Sequence, residues 1–230
     1  MKRSALFLVL LPLIGFCADM LTPAYTTGDL KSEVDAFLKV CQKEEFHHPL
    51  ENRRGRVPSF DAPGWGAFGA GKGPTQTEQH HPATDLKMDP VKIYAAHGGV
   101  VATFRDAPKY RNYISVTKIV TDKDGEELGK LVTLYAHVDL DLDEGDGLFL
   151  DGKTVEAGDL ISQNLWSGTR GGPHLHFEIR YYRPDDAGTE EFYGFRQSTP
   201  STDDDFPYGK WNPDVGYGFG DPKSHGLRFY

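Results

Sequence analysis

The stretch GGPHLHFEIR, residues 171–180, sets two histidines two positions apart directly behind a Gly-Gly-Pro turn. In an extended strand successive side chains point to opposite faces, so His174, His176, Glu178 and Arg180 share one side. Leu175, Phe177 and Ile179 share the other, which reads as the buried face. The two imidazoles then point the same way, about 6–7 Å apart along the strand. That spacing is too long for a mutual hydrogen bond and short enough for both rings to serve one small object. Taken alone, the strand leaves a pair of surface histidines with no task as an equal alternative.

Short β-branched or aromatic runs precede it: VKIYAAHGGVVATFRD, YRNYISVTKIVTD, GKLVTLYAHVDL and KTVEAGDLISQN. Asp124-Gly125, Asp151-Gly152 and Gly171-Gly172 punctuate them, the pattern of a compact antiparallel β domain. Asp124-Gly125, between Val120 and Leu131, predicts a hairpin. Hydrophobic residues are 38% of the chain, below the usual share, beside 26 Gly and 15 Pro, which favours a β-rich, loop-rich protein over a helical bundle. In residues 28–45, Leu30, Val34, Phe37, Leu38 and Cys41 recur at helical spacing, with Asp29 or Ser32 as cap, so one short amphipathic helix is expected there. Residues 46–80 read as an irregular surface segment. Its run GAFGAGKGPT lacks the residue order of a phosphate-binding loop, and no apolar strand precedes it.

The opening MKRSALFLVLLPLIGFCAD has a basic start, an apolar run from Ala5 to Phe16 and then small residues. The run is short for a bilayer span and contains Pro12, so residues 1–18 read as a secretory signal, with a retained anchor as the alternative. Cleavage after Ala18 leaves Cys41 as the single cysteine, which excludes an internal disulfide and cysteine-held zinc. Losing Lys2 and Arg3, the only charges in residues 1–18, takes the formal charge from −9 to −11. So acidic an exported chain does not suit nucleic acid or anionic lipid, and no stable membrane insertion is expected after signal cleavage.

A second constellation lies in EQHHPATDLKMD, where His81 and Asp85 are four apart. One imidazole, one carboxylate and one histidine of the HLH strand make three ligands and leave a fourth tetrahedral position for water, the arrangement of a catalytic zinc. The third element is Tyr135-Ala136-His137, where a strand gives way to an acidic loop. Each has a plain alternative: a solvated turn for His81 and Asp85, a satisfied half-buried histidine for His137.

In combination these residues resemble the lysostaphin/LytM-type zinc metallopeptidases, which cut peptide bonds in bacterial peptidoglycan. The resemblance is carried by His81-Pro-Ala-Thr-Asp85-Leu86, Ile93-Tyr-Ala-Ala-His-Gly-Gly-Val-Val101, Leu134-Tyr-Ala-His137, Val155-Glu-Ala-Gly-Asp-Leu-Ile161 and Gly172-Pro-His-Leu-His-Phe-Glu-Ile-Arg180. It spans about residues 79–182 and divides the chain into a signal (1–18), an N-terminal helix with an irregular segment (19–78), the peptidase domain (79–182) and a C-terminal extension packing on it (183–230). It implies a mainly β, two-sheet domain with a metal-bearing groove. It also implies one zinc ion per chain, with His81, Asp85 and His176 as ligands and His174 and His137 as non-ligand catalytic histidines. His80 is a rival for His81, but the residue four further on is Thr84, not a carboxylate. Spacing does not divide the two catalytic roles; the reading adopted is His174 as base and His137 as oxyanion stabiliser.

The implied function is an exported zinc endopeptidase of the periplasm or cell envelope, or a secreted one, acting on stem peptides or cross-links of peptidoglycan. Its protein partners are unknown. The alternative is a LytM-like regulator of an envelope amidase, non-catalytic or with an occluded site. Three features depart from the family pattern. The segment 138–159 is longer than usual and crowded with Asp139, Asp141, Asp143, Glu144, Asp146 and Asp151. It fails the EF-hand order at Glu144 and Leu150, so a solvated acidic loop is expected. His97 stands where the family has a small or acidic residue and is expected outside the metal shell. The flanks before 79 and after 182 have no counterpart to align.

Overall fold

A computed structural model describes residues 36–51, 60, 83–87, 92–107, 110–169, 171–182, 184, 211–212, 217–220 and 227–230. The expected signal segment, the start of the expected helix, the GAFGAGKGPT run and His80 and His81 lie outside the described residues. Residues 36–41 are helical (α1) and bury Phe37 and Cys41, whose thiol pKa is pushed up to about 12 by burial. Cys41 is thus a packed small side chain rather than a reactive thiol.

The fold is mainly β. Its centre is a long antiparallel meander formed by β5 (Gly99–Ala107), β6 (Arg111–Thr121) and β7 (Glu127–Ala136). These three carry the β-branched and aromatic residues that favour a pleated, buried surface. Gly125, at φ +87°, turns β6 into β7, while the Asp122 carboxylate accepts the N–H groups of Asp124 and Glu126. Two residues in extended geometry could not reverse the chain this tightly without a left-handed position, which glycine adopts freely.

Strand β10 (Leu175–Tyr182) then pairs with β7 from His176 to Tyr182. Its other edge is shared: β3 (Thr84–Leu86) covers Leu175 to Phe177, and β12 (Tyr217–Gly220) covers Ile179 to Tyr182. β11 (Trp211–Asn212) extends the sheet beyond β12, and β8 (Thr154–Val155) closes the far edge on β5, for eight strands in all. A second sheet is built from β2 (Leu50–Glu51), β4 (Lys92–Tyr94) and β9 (Leu160–Ser162). The short strand β1 (Glu45–Phe46) pairs in parallel with β13 (Arg228–Phe229), so the described end of the chain lies against its beginning.

The main core fills one face of the large sheet. Val101, Ile114, Val116, Val120, Leu131, Tyr135, Leu175, Phe177 and Ile179 meet Phe37, Phe46, Leu50, Ile93 and Ile161 there. Each such side chain contributes roughly 1.5–3 kcal/mol by leaving water. A smaller cluster, Ala107, Tyr110, Tyr113, Leu134 and Ala136, sits on the opposite face. Both faces of β10 are therefore buried, including the one expected to carry exposed polar groups: His174, His176, Glu178 and Arg180 all have under a tenth of their surface exposed. Alternation identified which residues share a face, but not what covers it.

The acidic segment also differs from expectation. Leu140–Gly145 is a helix (α2), capped by the Asp139 side chain on the Leu142 N–H. Asp143 is buried and accepts from the Ser162 hydroxyl at 2.6 Å, the Gln163 N–H at 3.0 Å and the Asn164 amide at 2.8 Å. Burial pushes its pKa upward, and those three donors oppose the rise. Arg105 on β5 binds Asp141 and Glu144 from outside. What reads as a solvated acidic loop is a short helix pinned to β9 and its following turn. Among the described residues, no helix is long and apolar enough to cross a membrane.

Candidate metal centre

Register brings the site together. His176 on β10 stands opposite Asp85 on β3 and opposite Ala136 on β7, so one row across three strands reads Asp85, His176, Ala136. Cross-strand partners project to the same face. The next residue, His137, leaves β7 with φ +68°, a left-handed conformation that costs a non-glycine residue roughly 1–2 kcal/mol. Its backbone is held there by its own N–H donating to Asn112 O at 3.0 Å and by its C=O accepting from Trp166 N–H at 2.8 Å. The ring is turned back over the sheet, with its centroid 5.0 Å from that of His174 and 5.5 Å from that of His176.

The distances within the group are short. Nδ1 of His176 lies 3.2 Å from Oδ1 of Asp85, and Nε2 of His174 lies 3.5 Å from Oδ2 of the same carboxylate. The structure thus brings Asp85, His137, His174 and His176 into one pocket of side chains, four of the five residues singled out from the sequence. His81 lies outside the described residues, and among these no three His, Cys, Asp or Glu side chains form a metal-holding group. The pair that is described fits a zinc ion. Tetrahedral bonds of about 2.0–2.1 Å set ligand atoms about 3.3 Å apart, close to the separation seen between His176 and Asp85.

Hydrogen bonds assign the tautomers. Nδ1 of His174 is 2.8 Å from Gly172 O, and Nδ1 of His137 is 3.1 Å from Tyr110 O. A carbonyl only accepts, so both rings carry their proton on Nδ1 and present Nε2 as an acceptor. His176 is the reverse: Nε2 lies 2.8 Å from Oε1 of Glu178, so Nε2 carries the proton and Nδ1 faces Asp85. Burial would depress the pKa of His176, but hydrogen bonds to Asp85 and Glu178 outweigh it and raise the value to about 9. Two carboxylates around one imidazole favour a cation at that position, either a proton or a metal on Nδ1. Burial, with the neighbouring His176 and His174, lowers His137 to about 3.

Three residues that sequence reading gave no role complete the surroundings. Glu178 is buried and receives the Tyr110 hydroxyl as well as His176 Nε2, while Arg180 donates to its other oxygen from Nε at 2.7 Å. The alternation H-x-H-x-E-x-R was a usable signal for Glu178 and Arg180, had the face been taken as buried. Tyr110, in the β5–β6 turn, left no signal, because its role depends on a contact to a residue far along the chain. His97 is remote from this group: it is buried, with Nδ1 on Gly98 O at 2.9 Å and Nε2 3.1 Å from the Thr133 hydroxyl.

Residues 79–188, a little under half of the chain, match the family model described as Peptidase family M23. Among solved structures, Csd3 of Helicobacter pylori is similar at 21% identity over 60% of this chain and 31% of that one, with a TM-score of 0.37. A zinc-containing peptidase from Vibrio cholerae is similar at 22% identity over 59% of this chain and 32% of that one, TM-score 0.33. The antimicrobial peptidase lysostaphin from Staphylococcus simulans gives 19% identity, 52% and 42% coverage, and a TM-score of 0.34. The chain thus spans about a third of the length of the first two. No curated protein matches it.

Proposed function

We propose that the chain is a zinc metalloendopeptidase that hydrolyses peptide bonds in peptidoglycan stem peptides or cross-links, with residues 79–182 as the catalytic unit. The observation that carries this reading is the pairing of His176 Nδ1 with Asp85 Oδ1 at metal-sharing distance, beside His174 and His137, whose ring centroids lie 5.0 Å apart and which are each held through Nδ1. Asp85 and His176 would hold the ion with His81, one ion per chain. Zinc bound there would supply Lewis-acid polarisation of the scissile carbonyl and acidify water.

The rest of the chemistry belongs to this chain's own side chains. His174, its Nδ1–H tied to Gly172 O, has a lone pair on Nε2 to accept a proton from the attacking water. His174 then returns that proton to the leaving amine, while His137, whose ring centroid lies 5.0 Å from that of His174, is the residue placed to stabilise the developing oxyanion. Burial of His174 and His176 keeps bulk water from competing for these bonds. The apolar opening of the sequence supports export to the periplasm, cell envelope or medium.

The test is mass spectrometry of fragments released from purified peptidoglycan by the zinc-loaded protein. Chelator-sensitive release of fragments cut at one peptide bond is the expected result. Intact peptidoglycan after incubation with protein shown to hold zinc would overturn the reading.

A further inference from the structure

An imidazole on a strand can present either nitrogen to a metal by turning over about χ2, and nothing in strand geometry chooses between them. We propose that Glu178, clamped by Arg180 and Tyr110, is the positioning residue that makes His176 bind through Nδ1 and sets how tightly the site holds its ion. This inference rests on the zinc reading above.

The geometry is one-directional. Glu178 Oε1 lies 2.8 Å from His176 Nε2, and an ionised carboxylate only accepts, so Nε2 is the protonated nitrogen. Nδ1 then faces Asp85, 3.2 Å away, as the nitrogen left to take a proton or a metal ion. Glu178 has no freedom to swing aside. Its Oε2 receives a hydrogen bond from Arg180 Nε at 2.7 Å and forms an ion pair with the same guanidinium, Nη2 lying 2.6 Å away, and its Oε1 also receives the Tyr110 hydroxyl. Arg180 is itself buried, and its Nη1 donates to the Tyr182 hydroxyl at 3.3 Å. The Tyr110 ring lies 4.8 Å from the His176 ring, and its backbone carbonyl holds His137. One clamp therefore fixes a ligand histidine and a catalytic histidine together.

A charge pair this deep in the fold adds little stability over apolar residues of similar size. A carboxylate behind a metal-bound histidine does something apolar residues cannot: it raises the basicity of the ligand, and losing such a partner typically weakens metal binding about 10–100-fold.

The experiment uses the full chain stripped of metal and titrated with zinc against a chromogenic chelator at one neutral pH. Glu178→Gln is compared with wild type, and so is Glu178→Gln/Arg180→Met, which leaves no unpaired buried cation. Both variants are expected to bind zinc about 10–100-fold more weakly. In parallel, long-range proton–nitrogen NMR on the zinc-loaded wild type is expected to show His176 protonated on Nε2 and metal-bound through Nδ1. A purely structural role would lower the melting temperature of the metal-free variants and leave zinc affinity unchanged. Unchanged affinity in either folded variant, or a His176 protonated on Nδ1 in the wild type, overturns the inference, and the NMR result decides even if neither variant folds. A wild type that takes up no zinc would instead defeat the functional reading on which this one stands.

Discussion

Asp85 and His176 are direct partners in the β3–β10 ladder, with 3.2 Å between Oδ1 of one and Nδ1 of the other. The backbone hydrogen bonds of two strands thus set the separation of the two atoms proposed as ligands, which a loop could not hold so closely. Ligand and non-ligand histidines are consequently separable by mutation. Asp85→Ala or His176→Ala is expected to remove bound zinc, whereas His174→Ala keeps it and lowers turnover about 10²–10⁴-fold. Elemental analysis beside a cell-wall zymogram checks both. Stoichiometric zinc in the His176→Ala protein would refute the ligand assignment.

The turn before β10 has Gly171 and Gly172 both at φ +88°. A Cβ on Gly172 would meet nothing within 4 Å, so its replacement is opposed by backbone strain rather than by collision. Gly172→Ala is expected to cost about 1–2 kcal/mol in chemical denaturation. Because the Gly172 carbonyl holds His174, turnover is expected to fall while zinc affinity stays near wild type.

His137 sits at φ +68° with its side chain in the pocket. Both His137→Gly and His137→Ala are expected to lose activity, yet the glycine variant escapes the left-handed penalty. It is expected to be more stable than the alanine variant by about 1 kcal/mol, the reverse of the usual order inside regular structure. Paired denaturation curves decide it.

Asp143 ties α2 to the segment after β9 through Ser162, Gln163 and Asn164. Asp143→Ala removes a charged acceptor shared by three donors and is expected to cost about 3 kcal/mol in a urea titration. The same segment carries Leu165, bridged to Val138, and Trp166, bonded to His137. Loosening it is therefore expected to lower turnover as well.

His97 gives a pH signature away from the metal centre. Burial lowers its pKa to about 4 from an ordinary 6.5, with Lys118 adding to the effect and the bond to Gly98 opposing it. Between those values the unfolded chain binds a proton that the native state does not. Stability is therefore complete above the unfolded value and falls as pH drops through the window, by about 3 kcal/mol in all. His97→Gln is expected to flatten that acid dependence, measured as the denaturation midpoint at each pH. An identical slope in the variant would show that other groups cause it.

The antiparallel meander was legible because β-branched runs and Asp-Gly turns are local signals, and the Asp124-Gly125 hairpin falls where those signals place it. The histidine alternation likewise marked out β10, where His174 and His176 share one face beside Asp85. What stayed hidden was non-local. Glu178 and Arg180 read as polar and therefore outward, but each is the other's buried partner, and the Tyr110 that joins them comes from a turn about seventy residues earlier. The acidic segment misled for the same reason. Asp143 is the buried carboxylate of that run, its oxygens meeting donors some twenty positions later, and charge counting cannot single it out. His81 was chosen by its distance from Asp85 in the sequence, and its place in space lies outside the described residues.

Strand β10 has no side facing water between His174 and Arg180. Any substitution scan through this segment will deplete soluble protein at nearly every position, whether or not the residue takes part in chemistry. Loss of cell-wall lysis there becomes informative only when divided by the amount of folded chain.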